Sequence, residues 1–325
     1  MEAVYLGQHR PHIERHLRHL ESLAEGLKLR FVDSAQSIPT IAEQCGDAPV
    51  IIVGGNYHHL AELAQHLPAL RLVQTHTAGT DWIDIQALAD RGVLVSDNNG
   101  ANATAVAEHT IALILELYHH VAAQLASVRA GTWQQGIDEI AAPMHTLEGK
   151  RVGLVGLGRI GSRVAKRLIG WDCNVYCFDT ASLSADYLEA CRAIPMSFDE
   201  LLSSCDIISL HVPLNRLTRH LMSAREFALM RSDALFINTC RGGVVDETAL
   251  IAALRDGHIA GAGLDVTDPE PINPDSPLLH LNNVAITPHY AARSVESGQL
   301  GSAHVAANAA RVLRGQQPIS IVQPI

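Results

Sequence analysis

Short runs of apolar residues alternate with segments of helical spacing along almost the whole chain. Helical spacing is clearest over Ile13–Leu23 and Leu60–Leu67. Strands that alternate with helices favour a parallel sheet, so this pattern predicts an α/β fold. The strands predicted in this first series are Ala3–Leu6, Lys28–Val32, Val50–Val53, Leu72–Thr75 and Val93–Ser96.

A long, mostly apolar helix is predicted from about Asn102 to Val128. Because it has almost no polar face, we expect it to be buried, either in a core or at a subunit contact. A second alternating series starts at Arg151, and a helix over Val295–Leu313 closes the chain. The strands predicted in this second series are Val152–Val155, Asn174–Phe178, Ile207–His211, Ala234–Asn238, Ile259–Leu264 and Val284–Thr287.

Composition adds limits to this picture. A chain of 325 residues with 47% apolar and 18% charged residues can form two ordinary domains with real cores. The net charge of −10 argues against a nucleic-acid-binding surface. We expect neither a signal peptide nor a membrane-spanning segment, and we take the cytoplasm as the default location.

The cysteine and histidine patterns bear on metal and disulfide sites. The six cysteines include no CxxC pair, so neither a disulfide framework nor a zinc site is indicated, and free thiols suit a reducing compartment. His12, His16 and His19 share one helical face. That face could bind a metal ion, but a solvated helix surface is the favoured interpretation, and we predict no metal site.

The clearest chemical motif is the glycine-rich segment that follows the strand Val152–Val155. Gly156, Gly158 and Gly161 have the GxGxxG spacing between a strand and a helix. The first glycine permits a tight turn, the second allows the backbone to approach a pyrophosphate, and the third allows close packing of helix and strand. Asp179 follows the next strand, where a carboxylate can accept hydrogen bonds from the adenosine ribose and repel a 2′-phosphate. Together these features predict a site for NAD.

Three later strands are each followed by a residue suited to catalysis. Arg241 can grip a carboxylate through two parallel hydrogen bonds and polarise a keto oxygen, although an arginine here is as often part of a surface ion pair. Asp265 could accept a hydrogen bond from the nicotinamide carboxamide, and Glu270 lies between two prolines in what is commonly only an acidic turn. His289 is suited to general acid–base chemistry, and a neighbouring carboxylate would favour its charged form.

At these residues the chain resembles the D-isomer-specific 2-hydroxyacid dehydrogenase family, and in particular its members of the glyoxylate/hydroxypyruvate reductase type. The resemblance covers nearly the whole chain. It implies a flavodoxin-like substrate domain over residues 1–100 and 292–325, an inserted Rossmann domain over residues 101–291, and a cleft between the two. We also expect a homodimer. The motifs that carry it are TAGTDWID, GANATAVAEHT, RVGLVGLGRIG, DIISLHVPL, INTCRGGVVDETAL, AGLDV followed by EP, and ITPHYAA.

The resemblance assigns roles by position. Arg241 would bind the carboxylate and carbonyl of the substrate, His289 would be the acid/base, and Glu270 would orient His289. Besides Arg241, the residues that would contact the substrate are Asn56, Tyr57, Ala78 and Gly79. Besides the three glycines, those that would contact NAD are Arg159, Ile160, Asp179, His211, Pro213, Thr218, Thr239, Cys240 and Asp265.

Departures from the family pattern concern the substrate rather than the reaction. Cys240 precedes the arginine where a smaller residue is common, Asn215 replaces a usual threonine, and Trp82 and Arg293 stand where smaller or neutral residues are frequent. The expected function is hydride transfer between NAD and a small 2-oxo or 2-hydroxy acid. The alternative is an NAD(H)-sensing regulator of the corepressor type, with little turnover.

Overall fold

The computed structural model describes residues 2–133 and 143–324. Within them the chain forms two compact units. The first unit consists of Met1–Asn102 together with Arg293–Ile325, and the second unit consists of Ala103–Ala292.

The first unit is built on a five-stranded parallel sheet in the order β2-β1-β3-β4-β5. Its central strand β3 consists of four fully buried apolar residues, as expected for a parallel sheet that is covered on both faces. The elements of this part of the chain are β1 (Glu2–Gly7), α1 (Ile13–Ser22), β2 (Lys28–Asp33), α2 (Ile38–Cys45), β3 (Val50–Val53), α3 (Leu60–Leu63), β4 (Leu72–Thr75), α4 (Ile85–Ala89) and β5 (Leu94–Ser96).

The second unit is built on a seven-stranded parallel sheet in the order β12-β11-β10-β9-β6-β7-β8. The strand order reverses between β6 and β9, which is the topological switch point of a doubly wound fold. Its elements are α5 (Ala103–His119), α6 (Val121–Arg129), β6 (Arg151–Val155), α7 (Gly161–Leu168), β7 (Asn174–Phe178), α8 (Ala185–Cys191), β8 (Ala193–Pro195), α9 (Phe198–Ser204), β9 (Ile207–Leu210), α10 (Ala224–Leu229), β10 (Leu235–Asn238), α11 (Glu247–Arg255), β11 (Gly261–Leu264) and β12 (Val284–Ile286).

The chain then returns to the first unit through α12 (Val295–Leu313). Asn308 of this helix is fully buried, and its Nδ2 donates to Gln74 Oε1 at 2.7 Å and to Ser96 Oγ at 2.8 Å. A buried amide must satisfy its hydrogen bonds, so these contacts hold the last helix to strands at the other end of the sequence.

The predicted α/β class with two parallel sheets is confirmed, whereas the single long helix is wrong. The chain breaks at His120, which has a left-handed φ of +50°, and α5 and α6 are bent by 63°. Glu116 explains the break, because its carboxylate accepts from the Ala122 N–H at 3.1 Å and so caps the second helix. The three-residue edge strand β8, which contains a proline, was not predicted.

The helices of the described part of the chain differ in length and apolar content. No single helix there is long and apolar enough to cross a membrane, and only the bent pair α5 and α6, taken together, meets that test of length and composition.

Candidate active site

The carboxyl ends of six neighbouring strands in the second unit carry nearly all the predicted catalytic and cofactor residues. Across the sheet from β12 to β7, the strands end near His289, Asp265, Arg241, His211, the glycine loop and Asp179. Since all strands are parallel, these residues lie along one edge, where ligands bind in open α/β sheets.

The glycine loop needs its glycines for different reasons. Gly156 has a φ of +93°, and a Cβ there would come within 2.5 Å of the His211 carbonyl oxygen. A Cβ on Gly161 would overlap the carbonyl oxygen of Gly156, so helix α7 can pack against the turn only without a side chain. A Cβ on Gly158 would meet nothing within 4 Å, so this position faces open space at the start of the helix.

Asp179 lies against the glycine loop. Its Oδ2 accepts from the Leu157 N–H at 2.8 Å, and its Oδ1 accepts from the Ala181 N–H at 2.9 Å. A carboxylate has about four acceptor positions, so this one can still accept hydrogen bonds from a ligand's hydroxyl groups.

The loop after β9 completes this end of the sheet. His211 has its Nε2 3.0 Å from Ser209 Oγ, while its buried Nδ1 has no hydrogen-bond partner among the residues that the structure describes. Burial lowers the pKa of His211 to about 3, so the ring is neutral. The Pro213 carbonyl accepts from the Thr218 hydroxyl at 2.6 Å, which holds Pro213 and Thr218 in one turn.

These features fit a dinucleotide. Helix α7 begins at the glycine loop, so the positive end of its dipole favours a phosphate there. Gly158 leaves room beside it, and Asp179 lies at the end of the next strand. The unpaired Nδ1 of His211 is one further polar atom in the adjacent loop. Ile160 directly precedes the helix, and the Arg159 carbonyl accepts from the Arg163 side chain within it.

His289 and Glu270 form the central pair of the site. His289 Nδ1 lies 2.7 Å from Glu270 Oε2, and Glu270 Oε1 accepts from the Thr267 N–H at 3.3 Å. Burial by itself would raise the pKa of Glu270, but the hydrogen bond and charge of His289, the Thr267 N–H and the charge of Arg241 lower it below its ordinary value. An ionised carboxylate only accepts hydrogen bonds, so Nδ1 of His289 carries a proton and Nε2 is the nitrogen at which a proton can be exchanged.

Arg241 follows β10 in a turn that Asn238 holds. Asn238 Oδ1 accepts from the Cys240 N–H at 3.0 Å, and its Nδ2 donates to the Arg241 carbonyl at 2.9 Å. The guanidinium itself donates to the Cys240 carbonyl at 2.7 Å and lies close enough to Glu270 to lower the pKa of that carboxyl group. The arginine, the glutamate and the histidine are therefore brought together.

Cys240 is buried, and its Sγ lies 3.0 Å from Asn238 Oδ1. The pKa of this thiol is raised above its ordinary value, even though Arg241 is its neighbour in the chain. Burial is the largest effect and raises the pKa, although backbone N–H groups and Arg241 act in the opposite direction.

Asp265 organises the loop that carries His289. The buried carboxylate accepts from the Thr287 hydroxyl at 2.6 Å, from the Tyr290 N–H at 2.9 Å and from the Ala291 N–H at 2.9 Å. His289 has a left-handed φ of +55°, which costs a non-glycine residue about 1–3 kcal/mol. Its N–H donates to the Asp265 carbonyl at 2.8 Å, so Asp265 stabilises this backbone conformation from both its side chain and its main chain.

In the first unit the predicted substrate residues follow β3 and β4. Asn56 is exposed, whereas the Tyr57 ring is buried in the core, where it can offer a ligand little surface. Ala78 and Gly79 lie in a partly exposed turn, and the Gly79 carbonyl accepts from Thr77 Oγ1 at 2.8 Å.

Trp82 packs against the same turn, and its Nε1 donates to the Gly79 carbonyl at 3.2 Å. This contact gives Trp82 a structural role in shaping the turn, which the sequence alone did not reveal.

The N-terminal histidines are not arranged as one solvated face. His12 adopts a left-handed conformation before α1, and the ring of His16 packs against the rings of Tyr5 and His76. Over residues 2–133 and 143–324, no group of three or more His, Cys, Asp or Glu side chains is placed to hold a metal ion.

Two residues with clear contacts in the structure were missed from the sequence. His109, within the quoted motif GANATAVAEHT, contacts Thr287 next to the catalytic loop. His76, next to the turn of the first unit, packs against the rings of Tyr5 and His16, and its buried Nε2 has no hydrogen-bond partner among the described residues. The motif containing His109 was the signal available for it, but nothing in the local sequence shows which residue a helix side chain meets.

Comparison with known proteins places the chain among related enzymes. Residues 111–291 match the model of the D-isomer specific 2-hydroxyacid dehydrogenase, NAD binding domain. A glyoxylate reductase of Thermofilum pendens is 38% identical over 81% of this chain and 77% of its own length. The chain belongs to the D-isomer specific 2-hydroxyacid dehydrogenase family.

Other relatives support the same conclusion. A D-3-phosphoglycerate dehydrogenase of Archaeoglobus fulgidus is 38% identical over 73% of this chain, but over only 44% of its own length. The solved holo form of Rhodotorula graminis D-mandelate dehydrogenase superimposes with a TM-score of 0.87 at 27% identity, covering 100% of this chain and 98% of that one.

The protein is therefore an NAD-dependent oxidoreductase that acts on 2-oxo or 2-hydroxy acids. The relatives that carry this conclusion are enzymes, and they give no support to the alternative of a cofactor-sensing regulator.

Proposed function

We propose that the protein reduces a small, unphosphorylated 2-oxo acid such as glyoxylate or hydroxypyruvate to the corresponding 2-hydroxy acid, with the D-isomer formed where the product is chiral. The observation that carries the catalytic part is the 2.7 Å contact between His289 Nδ1 and Glu270 Oε2, with Arg241 beside it. Together these residues offer one proton-exchanging nitrogen and one fixed cation.

The roles follow from the chemistry of each group. Bound NADH supplies the hydride. His289 gives the proton on Nε2 to the carbonyl oxygen during reduction and takes it back during oxidation, while Glu270 accepts from Nδ1 and fixes the orientation of the ring. Arg241 binds the substrate carboxylate and polarises the adjacent carbonyl.

The cofactor is held along the edge of the second unit. The glycine loop with Arg159 and Ile160 binds the pyrophosphate, and Asp179 accepts from the ribose hydroxyls and repels a 2′-phosphate, so NAD is preferred over NADP. His211, Pro213 and Thr218 line the middle of this site, and Thr239, Cys240 and Asp265 line its nicotinamide end.

The substrate assignment rests on the first unit and on the relatives. Gly54-Gly55-Asn56-Tyr57 follows β3 and contains no lysine or arginine that could hold a phosphate. The relative named glyoxylate reductase matches over 77% of its length, whereas the phosphoglycerate dehydrogenase matches over less than half. The first unit is proposed as the substrate domain, which binds the substrate through Asn56, Ala78 and Gly79, and the second as the dinucleotide domain.

We also propose a cytoplasmic homodimer. The six cysteines are free, which suits a reducing compartment. Val121, Leu125 and Val128 of α6 are each about half exposed although they are apolar, which is typical of a surface that another subunit covers. Size-exclusion chromatography with light scattering tests the dimer, with Leu125→Asp as the disruptive variant.

The main experiment mixes the protein with NADH and each of four acids: glyoxylate, hydroxypyruvate, 3-phosphohydroxypyruvate and 2-oxoglutarate. Loss of NADH absorbance should be fastest, by kcat/KM, with one of the first two. His289→Ala should lower kcat by about 10²–10⁴-fold and leave NADH affinity nearly unchanged. A phosphorylated or dicarboxylic acid as the best substrate would overturn the assignment and direct attention to Arg293.

A further inference from the structure

Helix α5 contacts two of the strand ends that carry the catalytic residues. His109 Nε2 lies 2.8 Å from Thr287 Oγ1, two residues before His289. The next residue, Thr110, has its Oγ1 2.9 Å from Thr239 Oγ1, two residues before Arg241. All four residues belong to the second unit, and consecutive positions of one helix thus touch both loops.

The direction of the hydrogen bonds from His109 can be worked out. The carboxylate of Asp265 is buried and accepts the single hydroxyl proton of Thr287 at 2.6 Å. Thr287 Oγ1 can then only accept from His109, so Nε2 of His109 carries a proton and donates it. The chain of donors runs from His109 through Thr287 to Asp265.

This chain ends on the loop that sets the position of His289. The same carboxylate of Asp265 receives the N–H groups of Tyr290 and Ala291, immediately after the left-handed His289. His109 also lies 3.6 Å from Asp265 Oδ1, so its ring faces the carboxylate directly as well. A change at His109 therefore alters the hydrogen bonds that the Asp265 carboxylate accepts. Through Asp265 it alters the position of the loop that carries His289.

We propose that His109 is a positioning residue for the reaction: through Thr287 and Asp265 it holds the loop that presents His289. The inference rests on the proposed role of His289 as the acid/base. His109 touches neither the substrate nor the reacting atoms in this assignment. Its effect comes from geometry, since displacing a catalytic group by about 1 Å can cost about 10²-fold in rate.

The test compares variants in single turnovers of NADH with the best 2-oxo acid, so that product release does not mask the chemical step. His109→Ala should lower the rate about 10–100-fold while the Kd for NADH, measured by fluorescence, changes less than about threefold. His109→Gln should restore most of the rate, because its amide can donate a hydrogen bond in place of Nε2. Thr287→Val should resemble His109→Ala, and the double variant should be little worse than either single one.

Glu108→Ala is the matched control. Glu108 is the preceding residue on the same helix and pairs with Arg167 at 2.9 Å, away from the loop. It should leave the single-turnover rate unchanged. If His109→Ala also leaves the rate unchanged, or if His109→Gln is as slow as His109→Ala, the positioning role is wrong.

Two further variants keep the outcomes distinct. If His109→Ala does not fold, the single-turnover rates of Thr287→Val and Thr287→Ser are compared instead. Only serine keeps the hydroxyl group, so Thr287→Ser should be the faster variant, and equal rates would overturn the proposal. His289→Ala in the same assay tests the proposed function itself. Retained turnover there means that the acid/base assignment has failed, whereas lost turnover with an active His109→Ala means that only the inference about His109 has failed.

Discussion

Replacing His76 by methionine should make the first unit more resistant to acid. Nε2 of His76 is buried and has no hydrogen-bond partner within residues 2–133 and 143–324, and the ring packs against those of Tyr5 and His16. Burial, with a smaller contribution from the charge of His16, lowers the pKa of His76 from 6.5 to about 4. Methionine is similar in size, fills irregular space and has no group to protonate.

The size of the effect follows from proton linkage. Between pH 6.5 and about 4 the unfolded chain binds a proton at His76 that the folded chain does not bind, so stability falls as the pH is lowered through this window. At about pH 5, which is about 1.5 units below the ordinary pKa of 6.5, the free energy of unfolding is lowered by about 2 kcal/mol. This value is an upper bound, because part of the ring remains accessible. Above the window the contribution is fully present, and His76→Met should match or exceed the unmodified protein.

The assay is urea unfolding at about pH 7.5 and about pH 5, followed by the fluorescence of Trp82. Trp82 is the only tryptophan of the first unit, so Trp133 and Trp171, which are exposed, are first replaced by phenylalanine. The advantage of His76→Met should grow by up to about 2 kcal/mol at the lower pH. His66→Met, the same change at an exposed position, should show no such growth. An equal advantage of His76→Met at both values would refute the reasoning.

Four further outcomes are expected. In a fluorescence titration, Asp179→Ser should weaken NADH binding by about 1.5–3 kcal/mol and bring the affinities for NADH and NADPH closer together. Equal use of NADPH by the unmodified protein would contradict the role of Asp179. Because the pKa of Glu270 is lowered, the Glu270–His289 pair should persist below about pH 4.5 and be lost only as the pH falls further. Glu270→Gln should cut kcat by about 10²-fold. If kcat/KM depends on pH in the same way in the variant and in the unmodified protein, the proposed role of Glu270 is wrong. Cys240→Ala should keep most of the turnover. Because burial raises the pKa of this thiol, iodoacetamide should inactivate the native protein slowly, and more slowly with NADH present. A folded, NADH-binding Cys240→Ala protein without turnover would show that the thiol is needed. Gly158→Ala should fold but bind NADH poorly, whereas Gly161→Ala should lower the melting temperature, because its methyl group overlaps the Gly156 carbonyl. A lower melting temperature for Gly158→Ala with an unchanged one for Gly161→Ala would contradict the geometry of the loop.

Local sequence was sufficient for much of the fold. The strands Val50–Val53, Leu72–Thr75 and Asn174–Phe178 and the helix Val295–Leu313 have the predicted bounds, because short runs rich in apolar residues and helical spacing depend on neighbours in the chain. The break at His120 could not be predicted in this way. It depends on the Glu116 carboxylate, six residues before Ala122, and on the left-handed conformation of His120 itself, which is not a glycine. The edge strand β8 was missed because three residues carry too little periodicity.

The same division holds for the candidate site. The types and spacing of Gly156, Gly161 and Asp179, and the position of Arg241 and His289 after strands, were available from the sequence, because each motif is a short local solution to binding or catalysis. Only the tertiary structure decided that Glu270 meets Nδ1 of His289 and that Asp265 receives the N–H groups of the following loop. These contacts join residues 19 and 25 positions apart, and they arise because parallel strands bring the ends of distant segments to one edge of a sheet.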